Sequence, residues 1–412
     1  MKYIFILILV YMTLFVKADY WTQKANFPGI KREFPFSFSI ETKGYVGGGM
    51  DSLNNLLNDF WEYDSSTDTW TQKANFGGSP RQNASGFSVL NKGYVVFGVD
   101  SLGMSFHLAN DLWEYDPFVD TWIQKTSFPG LGRQGATAFS TSNKAFVGFG
   151  IDWTNSTCYN DLWQYESTLD LWIQKTSMSG QPREGAVGFT IGNKGYVGTG
   201  TSSAPTIFLQ DFWEYDIASD TWTQKANFMG GTRTQPAGFS IGCQGYLGTG
   251  DLLFAWTNDF YQYDPNTNTW IQKTNLTGDA RDQTAYFSIG DKGYIGLGSF
   301  FSSYFHNLTD FWEYTPDSVC TTSIEEFANS SLQFMTYPNP CTKELTILLK
   351  HSHSYSCNKI VLYNSEGNSI KEVNCIFEVN NTLTSFDLNT NDLSSGIYFI
   401  RVGNIVSRFI KQ

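Results

Sequence analysis

The segment Asp211 to Ala226, DFWEYDIASDTWTQKA, recurs along the chain, with near-copies beginning at Asp59, Asp111, Asp161 and Asp259. Successive copies lie about 50 residues apart, and a period that long signals a propeller or a solenoid rather than an ordinary domain. Two half-copies complete the set: YWTQKA from Tyr20, and DFWEYT from Asp310 with no tryptophan strand after it.

Each repeat resolves into four strands. In the copy that opens at Arg183, Ala186 to Ile191 reads as a short strand, and Gly192-Asn193-Lys194-Gly195 has the chemistry of a tight hairpin. A second strand starts at Tyr196 and ends in Gly198-Thr199-Gly200. After a variable loop come a third strand (Asp211 to Tyr215), an Asp-rich turn and a fourth strand (Thr221 to Lys225). Four strands joined by short turns make a meander, the blade of a propeller. The Gly-x-Gly pairs sit on strands with no helix after them, so they read as places of close backbone packing, not as a phosphate loop.

The count of strands sets the topology. Third strands occur at Tyr63, Tyr115, Tyr165, Tyr215, Tyr263 and Tyr314, and fourth strands at Trp21, Trp70, Trp122, Trp172, Trp222 and Trp270. The chain begins with a fourth strand and ends the repeat region with a third. Trp21 to Lys24 must therefore complete the blade built from residues 281–314, which closes six blades into a ring and leaves no open blade at the seam. Every fourth strand ends in a lysine (Lys24, Lys73, Lys125, Lys175, Lys225, Lys273), read here as a guard against edge-to-edge pairing.

Residues 1–18 carry Lys2, an apolar run from Tyr3 to Val16 and the exit Val16-Lys17-Ala18, the pattern of a cleaved secretory signal and too short to span a bilayer. No other stretch is long enough for a transmembrane helix, so the mature chain is expected to be exported without a membrane span. The net charge of −12 repels phosphate backbones, and no basic stripe for nucleic acid is present. Six cysteines suit an oxidising compartment but form no CxxC pair. The plainest reading places one or two disulfides in the C-terminal tail and leaves Cys158 and Cys243 free or packed.

The order Arg, aromatic strand, KGYVGxG, variable loop, NDxWxYD, TxTWxQK resembles the kelch repeat over residues 20–316. Gly-x-Gly stands where the family usually has a Gly-Gly doublet, and Tyr261 replaces the third-strand tryptophan of the fifth blade. The resemblance implies an all-β, six-bladed propeller of the galactose oxidase-like kind but no single activity, since kelch propellers include binding scaffolds, a sugar oxidase and a sialic acid mutarotase. Residues 317–333 read as a linker. Beyond them YPNP, VLYNSEGNSI, FDLNTNDLSSGIYFIRV and a terminal KQ are similar to the type A sorting domain of type IX secretion, over residues 334–412. That likeness implies a small β-sandwich, handling by the type IX machinery, passage to the periplasm and then across the outer membrane, and release or lipid anchoring of the cargo.

The sequence offers little obvious chemistry. Of the four histidines, His351 and His353 alternate on one strand face without a third ligand nearby, so no metal is expected. His107 and His306 lie in loops of non-adjacent blades, and the Cys-Tyr arrangement of a copper oxidase is missing. Gly-x-Ser-x-Gly and HExxH are absent, and no cofactor is expected. Six arginines precede the first strands: Arg32, Arg81, Arg133, Arg183, Arg233 and Arg281. A ring of guanidinium groups, with Arg133 and Arg183 among them, is suited to hold a carboxylate. Six-fold repetition argues instead for a part every blade needs, paired with the repeated Asp59, Asp111, Asp161, Asp211, Asp259 and Asp310. Symmetry breaks in the variable loops, where Phe106, Trp153, Phe208, Trp256, Phe301, Tyr304 and Phe305 stand in place of polar residues. Aromatic loop residues on a rigid scaffold suit a glycan or protein ligand. The competing reading is an enzyme on a sugar acid, for which Glu33 and Glu184 are the candidate proton carriers because they directly follow an arginine.

Overall fold

In the run Phe36-Ser37-Phe38-Ser39-Ile40 the apolar residues are buried and the serines only partly so, the two-residue period of a strand with one face in a core. Five further runs of this kind occur, and all six strands neighbour one another in succession: Phe36–Ile40, Ser85–Val89, Gln134–Ser140, Val187–Ile191, Ala237–Ile241, Ala285–Ile289, and back to the first. A computed structural model of the chain describes residues 18–102, 105–203, 206–253, 255–302, 305–319, 333–337, 343–350, 355–364, 369–379, 383–402 and 405–411. It divides into two compact units on either side of residue 320, with no helix among the described residues.

Each inner strand starts a run of four antiparallel strands in simple meander order, to which the third blade adds the short strand Thr157–Cys158. In the fourth blade Val187–Ile191 is followed outward by Lys194–Gly198, Phe212–Asp216 and Thr221–Gln224. The sixth blade runs Ala285–Ile289, Lys292–Gly296, Phe311–Thr315 and then Tyr20–Lys24 from the start of the chain. Tyr20 pairs with Thr315 and Lys24 with Phe311, the closure expected from the offset of third and fourth strands. Gly200 is one of the tight approaches anticipated from the Gly-x-Gly pairs: at φ +93°, a Cβ there would lie 2.6 Å from the Glu184 carbonyl oxygen.

Neighbouring blades are tied by a repeated set of contacts. The fourth-strand tryptophan donates its indole N–H to a backbone carbonyl of the blade alongside, as in Trp222 to Thr176 (2.8 Å) and, across the seam, Trp21 to Thr274 (2.9 Å). The aspartate closing each third-to-fourth turn accepts two hydrogen bonds on one oxygen. Asp220, at φ +55°, takes the Tyr215 hydroxyl (2.7 Å) and the backbone N–H of Thr176 in the adjacent blade (2.9 Å). Asn268 does the same for the fifth blade, and Asp19 supplies the sixth latch by accepting from Tyr314 and from Thr274 N–H. The fourth-strand lysines differ from expectation. Instead of standing free along the edge they are largely covered and face carboxylates, as in Lys225 with Glu214 (3.5 Å) and Lys273 with Asp317 (2.7 Å).

At one end of the ring the six inner strands are joined by a closed belt of backbone hydrogen bonds. Asn83 N–H donates to Phe34 O, Gly135 to Asn83, Gly185 to Gly135, Gln235 to Gly185, Gln283 to Gln235, and Phe34 to Gln283, at 2.8–3.3 Å. All six residues adopt left-handed backbone with φ between 53° and 60°. Beneath the belt a cavity of about 430 Å³ runs down the middle of the ring to the hairpin turns at Glu41, Asn91 and Ser142. The inner strands' free edges face it, and hydroxyls bridge them between blades, as Ser85 does to the Ala136 carbonyl (2.7 Å) and Thr137 to that of Ala186 (3.0 Å).

The C-terminal unit contains two antiparallel sheets. One orders Gln333–Tyr337, Glu344–Lys350 and Leu383–Asn389, and the other orders Ser369–Val379, Tyr355–Tyr363, Gly396–Val402 and Ile405–Lys411. Leu345, Ile360, Leu362, Leu388 and Ile400 are buried. Cys158 is a buried free thiol, whereas Cys243 is disulfide-bonded, contrary to the expectation that both were free or packed. A cysteine spaced far from any partner in sequence gives no sign of its pairing.

Candidate functional site

The six repeated arginines are buried inside the blades. Arg183 donates from both terminal nitrogens to the two oxygens of Asp211 (2.7 Å each), and also to the carbonyl of Thr199 (3.0 Å). Arg133 makes the same fork to Asp161 (2.6 and 3.1 Å) and stacks on Tyr159, with its guanidinium carbon 4.0 Å from the ring centroid. Arg32, Arg81, Arg233 and Arg281 repeat the pairing with Asp59, Asp111, Asp259 and Asp310. The tryptophan two residues on adds an N–H to four of these aspartates besides Asp211, as from Trp61 to Asp59 (2.8 Å). Burial works against the Asp59, Asp111, Asp211 and Asp310 carboxylates, yet the arginine bonds and charge outweigh it and hold all four below the usual carboxylate range. A guanidinium so placed ties the inner end of its own blade to its third strand. Arg133 and Arg183, named above as ligand contacts, are committed internally.

Above the belt each blade carries a small raised ribbon. The residue after each arginine pairs with the start of the second-to-third connection: Glu33 with Met50, Gln82 with Val99, Gln134 with Ile151, Glu184 with Thr201, Thr234 with Asp251, and Asp282 with Ser299. These pairings bring the variable loops together around one mouth of the ring. Several fold into hairpins, Val99–Leu102 with Ser105–Leu108, Thr201–Ser203 with Thr206–Phe208, and Ser299–Phe301 with Phe305–Asn307. Phe106 is 55% exposed, Phe301 44% and Trp153 40%, whereas Phe208 and Trp256 are half-buried. Trp256 of the fifth blade lies against Phe301 of the sixth, with ring centroids 6.1 Å apart.

The floor between the ribbons is acidic. Asp282 is buried, donors within reach are Gln283 Nε2 (3.2 Å) and Ser299 Oγ (3.5 Å), and burial raises its carboxyl to about 7. The charges of Asp251 and Glu33 push in the same direction, while the nearby Trp256 N–H and the Ser299 hydroxyl oppose them. Burial also raises Glu33, against a hydrogen bond from Ser299, and Glu184, against one from Gln134. Glu33 and Asp282, on adjacent blades, thus share Ser299 and each other's field. Glu184 stands three blades away from Glu33, with Cys158 near it. Two candidates read from the sequence, Glu33 and Trp256, meet at this corner.

Residues 22–184 match the KLHDC2/KLHL20/DRC7 Kelch-repeats domain, and residues 335–412 match a secretion system C-terminal sorting domain. The chain carries a kelch-repeat domain and a C-terminal secretion sorting domain. Among solved structures, "Structure of YjhT" is similar to the kelch ring with a TM-score of 0.60 at 15% identity, covering 71% of this chain and 97% of that one. At that identity the likeness speaks to fold alone. No curated protein matches the sequence. The sorting domain marks the kelch protein for type IX export to the cell surface or the medium, and no helix among the described residues is long and apolar enough to cross a membrane.

The kelch frame brings together only part of the expected set. Phe106, Trp153, Phe208 and Trp256 all rise on one face. Tyr304 lies outside the described residues, as do His351 and His353, and of Phe305 only the backbone is described, paired with Phe301. His107 is hydrogen-bonded to Asp100 (3.1 Å), while His306 stacks on Phe300 (4.7 Å) two ribbons away, so they do not converge. Asp282 and Ser299 were not singled out from sequence. The available signal was the placement of Asp282 directly after Arg281, in step with Glu33 and Glu184.

Proposed function

We propose that this protein is an exported binding propeller, without catalysis, whose loop face takes a carbohydrate or protein ligand. The observation that carries this reading is a division of labour. Every repeated polar part is committed to holding blades together, while the connections that vary from blade to blade place large aromatic side chains in solvent on one face. Such side chains on a rigid frame supply contact area at low entropic cost. Residues 1–18 act as a cleaved secretory signal, the propeller extends over residues 19–316 beyond which 317–333 form a linker, and residues 334–412 are handled by the type IX machinery.

A second reading is favoured by the Glu33–Ser299–Asp282 corner: two adjacent carboxyls raised toward neutrality are suited to move a proton on a sugar acid. One experiment separates the two. Glycan-array and calorimetric binding to the mature protein should weaken about tenfold or more in Trp153→Ala and Trp256→Ala, with folding retained. The enzyme reading instead requires mutarotation or other turnover of a sugar acid that Glu33→Gln or Glu184→Gln abolishes. Turnover of that kind with both tryptophan variants silent would reverse the conclusion.

A further inference from the structure

A groove of about 360 Å³ opens on the loop face between the first and second blades. That is within the range of about 300–1,000 Å³ usual for small-ligand sites. Its wall is the Phe106 ring, more than half exposed, and its other lining groups include Asn54, Asn55, Pro80, Ser101 and Ser105. Every one of these is uncharged. We infer that this groove is a subsite for a neutral, hydroxyl-rich ring such as a pyranose, stacked on Phe106 and hydrogen-bonded by the asparagine amides and the serine hydroxyls. The inference rests on the loop face being a binding surface and adds the place and the charge class of the ligand.

Three observations carry it. First, the Asn55 amide is held in place before any ligand arrives. Asp51 accepts the backbone N–H of Leu53 and of Asn55 (2.8 Å each) and the side-chain N–H of Asn55 (2.9 Å), which fixes the turn and leaves the Asn55 side-chain oxygen as an acceptor. Asn54 sits at φ +63°, a conformation asparagine tolerates better than most residues. Groups fixed in advance lose little freedom on binding. Second, the nearest carboxylates are engaged elsewhere, Asp51 in its own turn and Asp100 with His107 and Ser79. Third, among the described residues the groove's lining holds no cation for an acidic ligand to meet. Arg32 and Arg81, which enter these two blades, are fully buried and forked onto Asp59 and Asp111. A carboxylated or sulfated sugar would enter with its charge unpaired, whereas a neutral ring exchanges hydroxyl–water for hydroxyl–amide bonds.

The test uses the full mature chain and four probes of equal length: hexasaccharides of glucose, mannose and N-acetylglucosamine, and hexagalacturonate, titrated calorimetrically at about physiological salt, where long-range repulsion is screened. At least one neutral probe is expected to bind, with hexagalacturonate at least tenfold weaker. Phe106→Ala should lower the affinity for that neutral probe about tenfold, Phe106→Tyr should restore it, and Ser105→Ala should lower it by a smaller factor. Circular dichroism and melting of each variant establish that the fold is intact. Binding that survives Phe106→Ala but is lost in Trp153→Ala would overturn this subsite and leave the loop-face reading standing. Equal binding of hexagalacturonate would overturn the charge class. Binding of none of the four would overturn the subsite as a glycan site, and the loop face would then be left with a protein ligand.

Discussion

The two ends of the conserved geometry within each blade behave differently. The frame below the belt is built from contacts made six times over: the Arg–Asp fork, the tryptophan N–H across the blade boundary, and the tyrosine–aspartate latch. The ribbons above the belt start from the same pairing in each blade and then diverge, in length, in aromatic content and in charge. The frame's arginines and aspartates are matched partner to partner, and Asp59, Asp111, Asp211 and Asp310 are pushed down. On the floor Glu33, Glu184 and Asp282 are covered without an arginine forked onto them and are pushed up. The same residue types therefore serve stability in one region and remain chemically available in the other, and what separates them is whether an arginine stands opposite.

The comparison can be broken most severely at the seam. Removal of residues 19–26 deletes the strand Tyr20–Lys24 and the Asp19 latch together, exposing the edge of Phe311–Thr315. The expected outcome is aggregation or loss of cooperative melting, since nothing else in the described chain pairs with that edge. A truncated protein that melts like the parent would show that the ring does not depend on its first strand. Next in size, Arg183→Ala leaves the largely covered Asp211 carboxylate without its cation, still bonded by Trp213 but with its charge uncompensated, a loss of about 3–5 kcal/mol in chemical denaturation. A smaller loss is expected at the latch. Asp220→Ala removes the acceptor for Tyr215 and Thr176 at a left-handed position, at about 1–3 kcal/mol. Asp220→Asn should cost less than about 1 kcal/mol, because Asn268 already makes both bonds in the fifth blade. If Asn is as harmful as Ala, the latch works through charge and not through the paired hydrogen bonds.

The least disruptive change sharpens the contrast through pH. For Asp282 the folded value of about 7 lies above the ordinary 3.8, so its protonated form is the one the fold prefers. Its contribution is complete below pH 4 and is lost as pH rises toward 7. Asp282→Asn should therefore raise the melting temperature at pH 8 and change it little at pH 4. The frame carboxylates have the opposite sign. Asp59, Asp111, Asp211 and Asp310 are depressed, so their contribution is present above pH 4 and disappears as pH falls through their folded values. Equal melting of Asp282→Asn and the parent at pH 8 would place that carboxyl in water.

Most of the frame could be read from sequence because it repeats. The offset between six third strands and six fourth strands predicts the pairing of Tyr20–Lys24 with Phe311–Thr315, and repetition alone pairs the arginines with the aspartates. The cover on the lysines is not legible in sequence, because an edge position in a strand does not reveal the carboxylates on the adjacent strand or on the next blade. The belt leaves no trace in sequence, since Phe34, Asn83, Gly135, Gly185, Gln235 and Gln283 have no side chain common to all six and bond through backbone alone. Asp282 does not stand out in sequence, because its burial depends on side chains of the fifth and sixth blades' ribbons, such as Trp256 and Ser299, that differ from blade to blade. The Phe106 groove is likewise a product of two loops that touch only once the blades are side by side.

The belt also orders events in time. Its last hydrogen bond runs from Phe34 to Gln283, residues from opposite ends of the repeat region, and a ring of donors and acceptors has no partial form that satisfies every member. Emerging blades can stack on one another as they are made, but the circle waits for the sixth, a contact of very high sequence separation and so among the slowest to form. The floor of the loop face exists only on top of that circle. The loop face is therefore a property of the finished chain, acquired in one late step, and a chain halted before that step has its blades but not the floor that the ribbons stand on.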